Sequence, residues 1–312
     1  MSDAYPALHY GAAWLDLSGR GKIAVIGPDS ARLLHAMTTN HVEQLTPNNG
    51  CYAFFLSAQG RILADVNILC LAEQFLLDTE PEISEKVFQH LDKFIIADDV
   101  LIEDRTLGTA TLAIEGPQAA AILAHIGAPV PEAAWASAPW DQGLVARLNY
   151  TGGQGFFLFT PTNEKQSLIE RIETAGAVAA TPEDFETVRI ERGKPRYGVD
   201  ISERFLAQET NQGHALSFQK GCYLGQEIVE RVRSRGQIHR LLMPLEIDTD
   251  VPPVAGTKLQ ADGKDVAEIT SAALSPTLGK VAALAYVRVE HSKPGTVLSL
   301  DAGMRAEVRA PA

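Results

Sequence analysis

The chain is short of cysteine, of aromatic side chains and of positive charge. Its three cysteines, at 51, 70 and 222, are odd in number and lack C-x-x-C spacing. That pattern excludes a disulfide framework and a zinc site made from these cysteines alone, and it fits a reducing cytoplasm. A metal shared with another molecule stays open. With 27 Lys and Arg against 39 Asp and Glu, the formal charge is −12. A surface of that sign has no general attraction for nucleic acid or anionic membrane, so neither is an expected partner and any anion site must be local. No apolar run is long enough to span a bilayer. Met1-Ser2-Asp3-Ala4-Tyr5-Pro6 has no basic stretch followed by an apolar one, so no signal peptide is expected and a cytoplasmic location is.

What is present suffices for two or three domains: 46% of the 312 residues are hydrophobic and 21% charged, as in an ordinary globular protein. Lys22-Ile23-Ala24-Val25-Ile26 reads as a strand, followed by Gly27-Pro28 and a helix carrying Leu33, Leu34 and Met37 at helical spacing. The phrase recurs as Thr111-Leu112-Ala113-Ile114-Glu115, Gly116-Pro117, then Ile122, Leu123 and Ile126. After each copy come further strand patterns and an amphipathic helix, near 81–95 and near 163–175. Tyr150-Thr151-Gly152-Gly153-Gln154-Gly155 supplies a hairpin signal in the second copy. Two related α+β lobes are expected, roughly 1–105 and 106–236, with interleaving left open. Thr181-Pro182-Glu183-Asp184 opens a helix that Gly193 closes. Residues 194–219 lack periodicity and read as a long ordered loop, a feature more often functional than idle in a compact protein. From 237 to 312, short strand patterns alternate with turns such as Asp262-Gly263, as in a small β-barrel, with the boundary near Gln237.

One stretch concentrates reactive chemistry: Lys220-Gly221-Cys222-Tyr223-Leu224-Gly225-Gln226-Glu227, followed by Arg231, Arg233 and Arg235. Read as a helix from about Cys222 to the stop at Gly236, it aligns Leu224, Ile228 and Val232 on one stripe and Glu227, Arg231 and Arg235 on another. Read as a strand, it buries nothing well, so the helix is expected. Cys222 would then sit at a helix N-terminus with Lys220 nearby, and both would favour the thiolate, the form that attacks or ligates. The plain alternative is a small buried cysteine, with arginines that only complement a helix end.

Lys220 through Glu227 resembles the signature of the YgfZ family, folate-binding relatives of the glycine-cleavage T-protein, or aminomethyltransferase. Similarity to the wider T-protein superfamily runs along nearly the whole chain: Asp16-Leu17-Ser18, Gly60-Arg61-Ile62-Leu63-Ala64-Asp65, Ile114-Glu115-Gly116-Pro117, Tyr150-Thr151-Gly152, Arg189-Ile190-Glu191-Arg192-Gly193 with Tyr197-Gly198-Val199-Asp200, and Ser275-Pro276-Thr277-Leu278-Gly279. The resemblance implies a cloverleaf of two ferredoxin-like lobes plus a C-terminal β-barrel, around a hole that holds tetrahydrofolate or a derivative. It implies that Asp65 acts near the folate nitrogens and that Glu191 hydrogen-bonds the pterin, a task suited to a carboxylate facing two parallel N–H donors. The expected site therefore has Cys222, Lys220 and Asp65 in chemical roles, and Asp65, Glu191, Tyr150, Tyr223, Gln226, Glu227, Arg231 and Arg233 around the folate. Read alone, Asp65 and Asn67 alternate with Ala64, Val66 and Ile68 as a solvated strand face would.

The chain departs from the T-protein pattern where position 64 is alanine, where Asp78-Thr79-Glu80 replaces an expected asparagine, and where position 153 is glycine instead of glutamate. The primary expectation is a tetrahydrofolate-binding accessory protein that supports iron–sulfur enzymes, tRNA-modifying ones included, or their assembly machinery through Cys222. The alternative is a tetrahydrofolate-dependent aminomethyltransferase or one-carbon transferase. A third reading, a scaffold whose arginines bind an acidic partner, predicts weak, salt-sensitive binding with no thiol dependence.

Overall fold

The structure, a computed structural model, describes residues 2–236, 238–300 and 303–311. Its helices are α1 (Ala4–Tyr10), α2 (Ser30–Met37), α3 (Ser84–Phe94), α4 (Ala119–His125), α5 (Lys165–Thr174), α6 (Pro182–Glu191) and α7 (Gln226–Arg235). The first sheet has the strand order Asn49–Leu56, Ile62–Cys70, Gln74–Thr79, Gly21–Ile26, Leu101–Asp104. Alternation from Ile62 to Ile68 sends Ala64, Val66 and Ile68 into the core, where Leu33, Leu34 and Met37 of α2 and Val87 and Leu91 of α3 meet them.

The second sheet runs Val178–Ala179, Ala13–Asp16, Thr109–Glu115, Gly155–Pro161, Gly143–Ala146, Ser137–Trp140. Its core takes Ile122 and Leu123 from α4 with Leu168 and Ile172 from α5, and a second cluster takes Leu8 from α1 with Phe185 and Val188 from α6. Ala13–Asp16 pairs with Thr109–Glu115, so the two lobes interleave in sequence. The repeated Gly-Pro phrase is a repeated backbone geometry: Gly27 and Gly116 have φ of 120° and 122°. A Cβ at either would lie within 2.5 Å of a carbonyl oxygen, which only glycine avoids. Pro28 and Pro117 fall in the turns ahead of α2 and α4 rather than at their first helical positions.

Arg240–Ile247, Lys280–Arg288, Lys264–Ser275, Lys258–Ala261, Val297–Ser299 and Arg305–Val308 close into a barrel. The expected fold class, α+β with two sheet-and-helix lobes and a C-terminal barrel, is the observed one. Gln237, where the boundary was expected, lies outside the described residues. Thr181 and Asp184 form the expected reciprocal cap on α6. Arg189, in the last turn of that helix, is buried at 1% exposure and donates to Asp200 at 2.7 Å. Asp200, fully buried, also accepts from Thr270 at 2.5 Å and Ser271 at 2.6 Å, so one carboxylate joins α6 to the barrel.

Candidate functional site

The loop after α6, the strands Asn49–Leu56 and Ile62–Cys70, and the Tyr150 turn converge on a cavity of about 300 Å³ with a recess of about 50 Å³ beneath it; Tyr52, Asn67, Asn149, Lys194 and Pro195 line both. Such a volume suits a small organic ligand. The strand face carrying Asp65 and Asn67 therefore looks into a cavity, not into open solvent. The non-periodic stretch 194–219 contributes Lys194, Thr210, Gln212 and His214 to the wall.

Asp65 stands in the recess, where Tyr52 Oη donates to its Oδ2 at 2.8 Å. Burial, reinforced by the charge of Glu80, pushes the Asp65 carboxyl up to about 6, while the Tyr52 hydrogen bond and Arg20 act in the opposite direction. Below it lies a charged floor. Arg20 donates to both oxygens of Asp78, at 2.8 Å each, and also to Glu80. Arg196 reaches Glu80 at 2.8 Å. Burial alone would raise Glu80, but the two arginines outweigh it and hold the carboxyl low. Glu80 is thus held in its charged form by the arginines, and Asp65 is the carboxyl poised to exchange a proton near neutral pH.

Lys194 donates to the carbonyl and side-chain oxygens of Asn149, at 2.9 and 2.8 Å. Burial draws its ammonium below the usual lysine range, with Glu115 opposing. Glu115 itself is buried under the Tyr150 turn, accepting from Thr151 N at 3.1 Å, from Tyr150 N and from the Thr151 hydroxyl. Tyr150 lines the recess. One wall of the cavity is aromatic: the His214 ring lies 5.4 Å from Tyr52 and 5.5 Å from Trp135, tilted 34° and 31°. The glycine at 153 has a local cause. A Cβ there would lie 2.0 Å from Arg192 Nη1, and that guanidinium donates to Thr151 Oγ1 at 2.8 Å. A side chain at 153 would push the Arg192 guanidinium away from Thr151.

The structure separates the expected site into three places. Asp65 and Tyr150 share the recess. Glu191 does not: it accepts from Tyr5 Oη at 2.5 Å, lies 3.0 Å from His9 Nε2, and faces a different hollow beside the barrel. Cys222, Lys220, Tyr223, Gln226, Glu227, Arg231 and Arg233 lie together outside the cavity, on α7 and the loop leading to it.

The expected helix from Cys222 is corrected here, because α7 begins at Gln226. Gly225, at φ 85°, caps it, and a Cβ there would come within 2.7 Å of Ser57 O. That approach is open only to glycine, and it turns the chain so that Cys222 precedes the helix in an exposed loop. Lys220 does not serve the thiol either. Its Nζ donates to the carbonyls of His35, Thr38 and Asn40 at 2.5, 2.6 and 2.8 Å, closing the C-terminal end of α2. Tyr223 is buried under that ammonium, 4.7 Å from it. Glu227 and Arg231 pair at 2.5 Å as the helical spacing predicts, and Arg233 covers Phe218. Among the described residues no group of three or more His, Cys, Asp or Glu is placed to hold a metal ion.

Sequence reasoning missed Tyr52, Trp135, Lys194 and His214. Lys194 adjoins the Arg189–Gly193 motif, but the others belong to no motif and meet only through folding.

Residues 3–220 match the GCVT N-terminal domain, and residues 240–311 match the Glycine cleavage T-protein C-terminal barrel domain. The aminomethyltransferase of Streptomyces coelicolor is 29% identical over 94% of this chain and 83% of its own length. That of Rubrobacter xylanophilus is 30% identical over 92% of this chain and 78% of its own. The crystal structure of glycine cleavage system aminomethyltransferase T from Bartonella henselae superposes with a TM-score of 0.90, at 23% identity, over 98% of this chain and 87% of that one. The fold, with its paired lobes and closing barrel, and both domain matches make this chain a member of the glycine-cleavage T-protein superfamily.

Proposed function

We propose that this protein is a tetrahydrofolate-dependent one-carbon transferase of the aminomethyltransferase type. The observation that carries the reading is Asp65, a carboxyl pushed up to about 6 within the central cavity and hydrogen-bonded by Tyr52. The cavity's residues fit tetrahydrofolate, the cofactor of aminomethyltransferases: the Tyr52–His214–Trp135 wall suits flat rings, Asp65 and Asn67 suit ring nitrogens and oxygens, and Arg147, Arg192 and Lys194 suit a carboxylate tail. Bound there, tetrahydrofolate supplies amine nitrogens that accept a one-carbon unit. Asp65 would take or return a proton at the oxygen that Tyr52 leaves free, with a pKa near the working pH that makes both directions accessible. The test is formation of methylenetetrahydrofolate from an aminomethyl donor by wild type and by Asp65→Asn. Activity in wild type with a loss of about 100-fold or more in the variant supports the reading; equal rates refute it.

The accessory role in iron–sulfur enzyme maintenance, with membership of the YgfZ family, is a second reading. It is favoured by the Lys220–Glu227 octapeptide and by its exposed thiol, which stands where another macromolecule can reach it. In that reading folate binding and thiol chemistry are spatially separate functions. Cys222→Ser would abolish support of iron–sulfur enzymes in cells while leaving tetrahydrofolate affinity unchanged, and unaltered support would refute it. Both readings keep the cytoplasmic location expected from the sequence.

A further inference from the structure

Trp135 is the one bulky residue in the cavity wall with a left-handed backbone, at φ 58°. That conformation is costly for a large side chain and persists only where neighbours enforce it. Here Trp135 N donates to Arg147 O at 3.1 Å, and the next residues are pinned by Ser137 N donating across the lobes to Asn48 O at 2.8 Å. Gly50 permits the approach: a Cβ there would be 2.9 Å from Trp135 O. The strain delivers the indole from the second lobe to the first, where Nε1 donates to Asn67 Oδ1 at 2.9 Å.

The carboxamide of Asn67 has one acceptor atom and two donor hydrogens. The indole takes one lone pair of that oxygen, and Asp78 Oδ2 accepts one hydrogen at 2.9 Å. The orientation of the amide is thereby fixed from both ends, with one N–H left over on a residue that lines both the cavity and its recess. Without the indole N–H, the amide loses the partner that fixes its acceptor side.

We propose that Trp135 is a positioning and specificity-determining residue: it latches the Asn67 amide so that the cavity presents a donor, and so selects a ligand ring carrying a hydrogen-bond acceptor over a plain aromatic ring. This rests on the folate reading and deepens it. Of the parts of a folate, the pterin carries ring acceptors, whereas p-aminobenzoylglutamate has only the benzoyl ring and tail.

The experiment is calorimetric titration of tetrahydrofolate and of p-aminobenzoylglutamate into wild type, Trp135→Phe, Asn67→Ala and the double variant. Phenylalanine keeps an aromatic face and removes the N–H. The expected result is about a five-fold loss or more for tetrahydrofolate in each single variant, the value of one neutral hydrogen bond. Affinity for p-aminobenzoylglutamate should be unchanged, and the double variant should be no weaker than Asn67→Ala. Equal loss for both ligands, no loss in Trp135→Phe, or additive losses would overturn the latch while leaving the folate reading standing. Absence of tetrahydrofolate binding by wild type would overturn both.

Discussion

Asp65→Asn should make the protein more stable and less active, and the pH dependence of the gain separates this origin from any other. A carboxyl raised from 3.8 to about 6 costs the folded state up to about 3 kcal/mol once ionised, at roughly 1.36 kcal/mol per pH unit. The side chain borders the cavity, so solvent screening reduces this to about 1–2 kcal/mol. Asparagine keeps an oxygen for the Tyr52 hydroxyl and carries no charge to desolvate. Between about pH 4 and 6 the folded wild type retains a proton that the unfolded chain has lost, so wild-type stability falls as pH rises through this window. The variant has no such group. Thermal melts at pH 4 should show little difference between the two. At pH 8 the variant should melt about 2–8 °C higher, at about 2–4 °C per kcal/mol. A variant that is destabilised at pH 8, or stabilised equally at both pH values, would refute the placement of an uncompensated carboxyl in this cavity. Transferase activity, where the proton exchange is needed, should fall about 100-fold or more in the same variant.

Three further outcomes follow from the packing. Asp200→Ala leaves Arg189 buried with one partner fewer and should cost about 3–5 kcal/mol in chemical denaturation, with the contact between α6 and the barrel lost first. Native protein should offer one thiol to a thiol-reactive dye, Cys222, and three only after unfolding, because Cys51 and Cys70 are buried; labelling should leave ligand binding intact, since Cys222 lies outside the cavity. Gly225→Ala, at φ 85° and with its Cβ 2.7 Å from Ser57 O, should cost about 1–3 kcal/mol and accelerate hydrogen exchange in 226–235 without affecting residues 62–70.

The sequence by itself determined the elements and their kinds. Period-two alternation in 62–70, the repeated strand–Gly-Pro–helix phrase, the reciprocal cap at Thr181 and the turn-rich late strands are local signals, and each element formed where its signal lay. The superfamily was also legible, because its motifs are short runs of contiguous residues. Asp65 sits in one of those runs, and the fold places it in the recess.

Tertiary structure decided which side chains meet. Trp135 reaches Asn67 across 68 positions of chain, and Tyr52 and His214 come from different segments, so no spacing rule connects them. It also decided what Lys220 and Cys222 do. The sequence places them two residues apart, which invites an ammonium beside a thiol. Folding instead spends the ammonium on three carbonyls at the end of α2, and Gly225 lets α7 dock against Ser57 before the helix can reach back to Cys222. A buried cation takes the partners that offset its desolvation, whichever neighbours the chain supplies.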